Sequence, residues 1–272
     1  MLFFVNRPIP LLSFEFFLIL RLYQTHFNIS DYNICIFDDI FPTTKAIAMF
    51  LNNLVFSIPS IVAVILIILY LNYKYSGVGL KPLYTAFFLG VLSFIPIFII
   101  QYLIEAAGFV LHASLKRMLF YSFFVEGFVP QMVVLSVLMF FFYRQAKFRT
   151  TADGILYSLF VTLGLSVFLI PFTLGQGVFS EHSLIFKMAY MPCLVVSAIS
   201  LGFFTGLSRQ RNNTLVDLMT GLIAASFFQG LYIFCMLTNE IVLWVISGVA
   251  SAFISMLFIY KAVTNHKQEQ KA

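Results

Sequence analysis

The 272 residues are 61% hydrophobic and only 10% charged, with a mean hydropathy of +0.98 and a formal net charge of +5. That composition leaves too little polar surface to coat a water-soluble globule of this length, so the solvent for most of the chain is lipid. The basic residues are scattered among short connections without aromatic interleaving, which excludes a nucleic-acid partner.

In chain order, residues 1–48 form an N-terminal extension. Pro8 to Tyr23 is apolar but short, and Glu15 and Arg21 interrupt it, so it is a poor spanning helix. Its weakly basic start and the lack of a small-residue cleavage pattern make it a poor signal peptide too. It is either an interfacial segment or a mis-assigned start, with translation beginning at Met49.

Seven apolar runs come next, at 49–73, 83–104, 118–142, 154–175, 184–207, 218–238 and 241–260. Each is long enough to cross a hydrocarbon core of about 30 Å as a helix. Backbone groups in lipid must be satisfied within the segment, and the runs lack the alternation of an outer-membrane barrel. The expected fold is therefore an all-α polytopic bundle of about seven spans, one membrane domain over 49–260 and a tail over 261–272. Lys74, Lys81, Arg144, Lys147, Arg149, Arg209, Arg211, Lys261, Lys267 and Lys271 fall on one side, against Lys116, Arg117 and Lys187 on the other. This bias implies a cell (inner) membrane protein with a cytoplasmic C-terminus.

Few side chains at membrane depth carry chemistry. Cys35, Cys193 and Cys235 form no framework, so no disulfide is expected. Of eleven carboxylates, Glu126 alone sits well inside a span, about eight residues or roughly 12 Å from its outer end. A charge at that depth costs on the order of 3 kcal/mol, so the residue calls for an explanation. It is either functional or a structural carboxylic acid hydrogen-bonded between helices. Pro130, four residues on, removes the amide that would bond the Glu126 carbonyl and predicts a kink. Ser122 lies one turn earlier, and Gln101, Cys193, Ser197 and Gln229 sit at similar depth, which suggests a polar cluster. Pro59, Pro96, Pro130, Pro171 and Pro192 each interrupt one of the first five spans.

His26, His112, His182 and His266 fall in connections or tails, and Glu126 with Cys193 supplies at most two metal ligands, below the three a catalytic site uses. No Ser/His or Cys/His nucleophile arrangement and no phosphate loop appears. The residues alone imply no cofactor and no metal.

Five segments nevertheless resemble the PrsW-type intramembrane proteases, a family related to CAAX prenyl proteases and bacteriocin-processing membrane enzymes. The resemblance spans roughly 54–238. "NYKYSGVGLKPLYTAFFLGVLSFIP" is similar to the family's passage from first to second helix. "FYSFFVEGFVPQ" at 120–131 is similar to a helix carrying Glu-Glu-x-x-Lys, with Glu126 at the first glutamate, Gly127 at the second and Pro130 at the lysine. "DGILYSLFVTLGLSVFLIPF" at 153–172 keeps Asp153, Gly154, Tyr157, Gly164 and Phe168, while Leu169 and Ile170 stand where the family ends in Glu-Asn. In "MPCLVVSAISLGFFTGL" at 191–207, Cys193 takes a histidine position; in "IAASFFQGLYIF" at 223–234, Gln229 takes a histidine and Ile233 an asparagine.

In the family, such acids and histidines are taken to activate water or hold a metal for peptide hydrolysis. With four of five principal polar positions changed, the resemblance implies a pseudoprotease, a scaffold that holds a transmembrane segment or lipid without cutting it. Its partners would be membrane lipids and a transmembrane protein. The small-residue run Ser197 to Gly206 either contacts such a helix or packs the bundle internally. Two other readings are an active protease using Glu126 as general base, with Gln229 or Ser197 polarising the carbonyl, and a proton-coupled transporter.

Overall fold

The structure is a computed structural model. It describes residues 53–74, 81–107, 114–145, 148–175, 184–211, 214–238 and 240–269. The chain divides into two compact units, Met1–Asn52 and Asn53–Ala272, and the second holds every described helix. The expected extension over 1–48, with Cys35 and His26, lies outside the described residues, as do His112 and His182.

A 3₁₀ turn, Val55–Ser57, leads into α1, Ile58–Lys74. Helices α2, Lys81–Leu92, and α3, Phe94–Ala106, form one apolar span broken at Ser93. The third span is composite: α4, Leu115–Phe120, a π-helical segment, Tyr121–Phe128, α5, Val129–Val137, and a second π segment, Leu138–Phe142. Then come α6, Thr151–Gly175, α7, Leu184–Gln210, α8, Thr214–Thr238, and α9, Ile241–Glu269. Among the described residues six spans are long and apolar enough to cross a membrane, and Val55–Leu71 is a shorter apolar helix. The protein is thus an all-α, multi-pass membrane bundle. Helix α9 continues through residues 261–269, which the sequence assigns to a tail.

Helices α6 and α7 form the centre, with α2 and α1 against α6, and α8 against α7. Glycine explains the closeness. A Cβ at Gly202 would lie 2.5 Å from the Gly154 carbonyl oxygen, and one at Gly206 would lie 2.6 Å from Thr151 Cα. The small-residue run therefore packs internally, against α6, with Ser197 fully buried. Its fit is backbone against backbone, the usual way helices associate without a hydrophobic drive between them.

The Asp-Gly start of α6 has a local cause as well. Thr150 N–H and Oγ1 both donate to Asp153 Oδ2 at 2.9 Å, and Asp153 N–H returns a bond to Thr150 Oγ1 at 3.1 Å. This reciprocal cap satisfies amides that the first turn leaves without partners. At the same end of the bundle, Tyr143 OH donates to the Ser208 carbonyl at 3.3 Å under the Arg209 guanidinium. The ends of the third span and α7 therefore share one side of the bundle.

The prolines divide into two groups. Pro59 opens α1, Pro96 follows the Ser93 break, and Pro130 follows the π segment. Pro171 and Pro192 lie inside helices that run on through them, so these two do not interrupt their spans.

Candidate functional site around Glu126

Pro130 offers no N–H to the Glu126 carbonyl, and the chain answers by widening. Through Tyr121–Phe128 the helix is π-type, and Val129 N–H bonds the Phe124 carbonyl five residues back. The kink expected at Pro130 is therefore a π bulge upstream of it, a feature that is rare in helices and frequent at functional sites.

The bulge turns Glu126 fully into the protein. Gln101 Nε2 of α3 donates to Oε1 at 3.1 Å. Thr173 Oγ1 of α6 and Tyr190 OH of α7 donate to Oε2 at 3.4 and 3.5 Å. One carboxyl group thus receives three neutral donors from three other spans, all of them buried. The two hydroxyl bonds are long and each is individually weak.

A second polar pair lies beyond the bulge. Gln131 Nε2 of α5 donates to Gln229 Oε1 of α8 at 2.5 Å. Gln131 Oε1, Gln229 Nε2, Gln101 Oε1 and Ser122 Oγ are buried with no hydrogen-bond partner among the described residues. Leaving buried polar atoms unmatched costs about 1–3 kcal/mol each, so this seam is polar without being fully satisfied.

Of the residues that stand out in the sequence, Glu126, Gln101 and Gln229 lie in this polar seam. Gly127 does not contribute chemistry: a Cβ there would sit 2.7 Å from the Ser226 carbonyl oxygen, so α8 fills the space a side chain would need. Pro130 is buried in the first turn of α5. Leu169 and Ile170 are wholly buried in the hydrophobic cluster, and Ile233 likewise. Cys193 is half-buried, its thiol donating to the Phe228 carbonyl at 3.8 Å, and it faces a cavity of about 220 Å³ between α7, α8 and α9. Ser197 spends its hydroxyl on the Cys193 carbonyl at 3.0 Å.

Thr173, Tyr190 and Gln131 do not stand out in the sequence, although each lies one or two residues from a proline in its span. Polar residues beside intramembrane prolines are the signal that would have found them. Tyr190 also stacks on Tyr232 at 5.8 Å, and Tyr232, whose hydroxyl donates to the Phe186 carbonyl, lines the same cavity as Cys193.

Comparison with known proteins places this geometry. A family model described as "PrsW family intramembrane metalloprotease" matches residues 79–168, which include α2, α3 and the Glu126 bulge. The chain is 30% identical over 168 residues to Protease PrsW of Bacillus subtilis, covering 61% of this chain and 74% of that protein. The chain belongs to the PrsW family. Protease PrsW of Geobacillus kaustophilus is 26% identical over 173 residues, 63% of this chain and 74% of the relative. That of Halalkalibacterium halodurans is 31% identical over 97 residues, 36% and 43% respectively. No solved structure matches the chain.

The PrsW description names a metalloprotease, so the donor set bears directly on it. Among the described residues there is no group of three or more His, Cys, Asp or Glu placed to hold a metal ion. Among the described residues, the groups that donate to Glu126 include an amide and two hydroxyls, poor ligands for a catalytic transition metal. These three donors do not fit that metal.

Proposed function

We propose that this PrsW-family chain is a non-catalytic member, a pseudoprotease that retains a membrane-embedded ligand without cleaving it. The observation that carries the proposal is the state of Glu126: fully buried, and bonded by Gln101, Thr173 and Tyr190. A general base must reach the proton of an attacking water. Here the positions that would complete the chemistry are closed contact at Gly127, apolar core at Leu169, and an amide already engaged through its oxygen at Gln229. The cavity beside α9 supports the binding half of the reading, with Cys193, Tyr232 and Trp244 on its walls and Gly248 at an open edge. An acyl chain or an apolar side chain of a transmembrane segment is the chemistry it suits. The protein would act in the cell membrane with its C-terminus in the cytoplasm, on the strength of the Lys and Arg bias.

The test is a cleavage assay of the purified protein against a panel of transmembrane peptides, with Protease PrsW of Bacillus subtilis as positive control. Absence of product where the control cleaves supports the proposal. Product that disappears in Glu126→Gln overturns it, and sensitivity to chelator would then assign a metal a part. One observation favours that second reading: Gln229 Nε2 is a buried donor without a partner among the described residues, suited to polarise a carbonyl.

A further inference from the structure

The description of the family names a metalloprotease, and the described donors to Glu126, an amide and two hydroxyls, do not suit a metal. We propose that in this chain Glu126 serves instead as a metal-independent keystone, a single carboxyl group that ties four membrane-spanning segments together. The proposal deepens the pseudoprotease reading and rests on it only for the expectation that no catalytic duty competes.

Three features carry it. First, the donors approach from different elements. Gln101 belongs to α3, Thr173 to α6 and Tyr190 to α7, while Glu126 stands on the π segment of the third span. Both carboxyl oxygens are engaged, Oε1 by the amide and Oε2 by the two hydroxyls, and none of these three donors is of the imidazole, thiolate or carboxylate kind that a catalytic metal takes. Second, the π bulge is what brings the carboxyl group inward, so the widened turn and the bonds to it form one unit. Third, the nearby positions are spent on packing. Gly127 admits α8 to within 2.7 Å of where a Cβ would stand, and Leu169, one turn before Thr173, fills core. A donor network in low dielectric holds well when its central acceptor is present and fails when it is absent, because each donor is then stranded.

The experiment combines metal analysis and thermal unfolding on the full chain, purified in detergent without chelator from zinc-supplemented cells. Elemental mass spectrometry reads bound transition metal. Wild type is expected to hold well under one equivalent, and added zinc is expected to leave the unfolding midpoint unchanged. About one equivalent that falls on Glu126→Gln overturns metal independence. A His112→Ala/His182→Ala variant reads the same quantity by a second route, since loss of one equivalent there would show that those histidines help hold a metal.

For the keystone itself, Glu126→Ala strands three donors and is expected to lower the midpoint by about 5 °C or more. Glu126→Gln keeps an acceptor for Gln101 and a partner for the hydroxyls, and is expected to lower it by less than about 2 °C. Equal midpoints for the two variants would overturn the keystone. Should the alanine variant fail to fold, Thr173→Val and Tyr190→Phe supply the graded form: each removes one donor and is expected to lower the midpoint by about 2 °C, and an unchanged midpoint in both would overturn the keystone. Peptide cleavage by a metal-free wild type would sink the pseudoprotease reading and leave metal independence standing.

Discussion

The inner seam and the outer face of this bundle are built on opposite terms. Along α6 and α7 two thirds of the spanning residues are buried, against 6% along α9. Inside, glycines bring backbone to backbone, and polar side chains find one another across helices. Outside, α9 presents Val242, Ile246, Val249, Phe253 and Met256 to its surroundings and leans on α7 and α8 over a cavity. The glutamate that invites a catalytic reading sits in the first region. A cavity lies in the second, beside Cys193. The two are joined through the stacked Tyr190 and Tyr232. What the contrast teaches is that the buried acid and the cavity beside α9 occupy different places in the bundle, linked by one aromatic pair.

The largest effect that would break this contrast is steric. Gly202→Val places a methylated Cβ against the Gly154 carbonyl and Ile155, and neither backbone can yield without separating α6 from α7. A loss of about 3 kcal/mol, read as a fall in midpoint of several degrees in detergent, is expected. Gly127→Glu, which puts an acid where the helix that this segment resembles carries its second glutamate, meets the Ser226 carbonyl in the same way and is expected to destabilise by about 1–3 kcal/mol. A Gly127→Glu protein as stable as wild type would show that the seam has room for a second acid.

Polar pairing comes next. Gln131→Met or Gln229→Leu alone strands one amide and is expected to cost about 1–2 kcal/mol by thermal unfolding. The double variant is expected to cost less than the sum, because apolar groups replace both partners at once. Strict additivity would mean that the bond between the two amides contributes nothing. The smallest effect on stability belongs outside. Nothing lies within 4 Å of a Cβ at Gly248, so Gly248→Leu is expected to change stability by less than about 0.5 kcal/mol. It should still reduce retention of an apolar ligand, since it fills the cavity mouth; unchanged retention would remove the cavity from the proposal.

How far each feature was legible in the sequence depends on the kind of information it needed. The spans are read from local composition, so runs of apolar residues located those among the described residues. Glu126 stands out because a lone acid in lipid is conspicuous whatever surrounds it. Its partners are different: whether Thr173 or Ser197 faces the carboxyl group depends on helix rotation and relative depth, which hydropathy does not encode. Ser197 turned to its own helix and Thr173 to Glu126. Gln131 was hidden for a similar reason: its partner, Gln229, lies on another helix 98 residues along the chain. Proline was a mixed guide. Pro130 marked the bulge, but Pro171 and Pro192 sit in helices that continue past them, where packing against neighbours holds the backbone. The small-residue run needed a partner before it could be interpreted, and Gly154 and Thr151 of α6 are that partner.

The most direct measurement is native mass spectrometry of the detergent-purified protein after incubation with a transmembrane peptide that Protease PrsW of Bacillus subtilis cuts. A pseudoprotease predicts a complex at the summed mass of protein and intact peptide, with the same spectrum for Glu126→Gln. Peptide fragments in the wild-type spectrum that are missing from Glu126→Gln would contradict it, and would make the buried glutamate a catalyst.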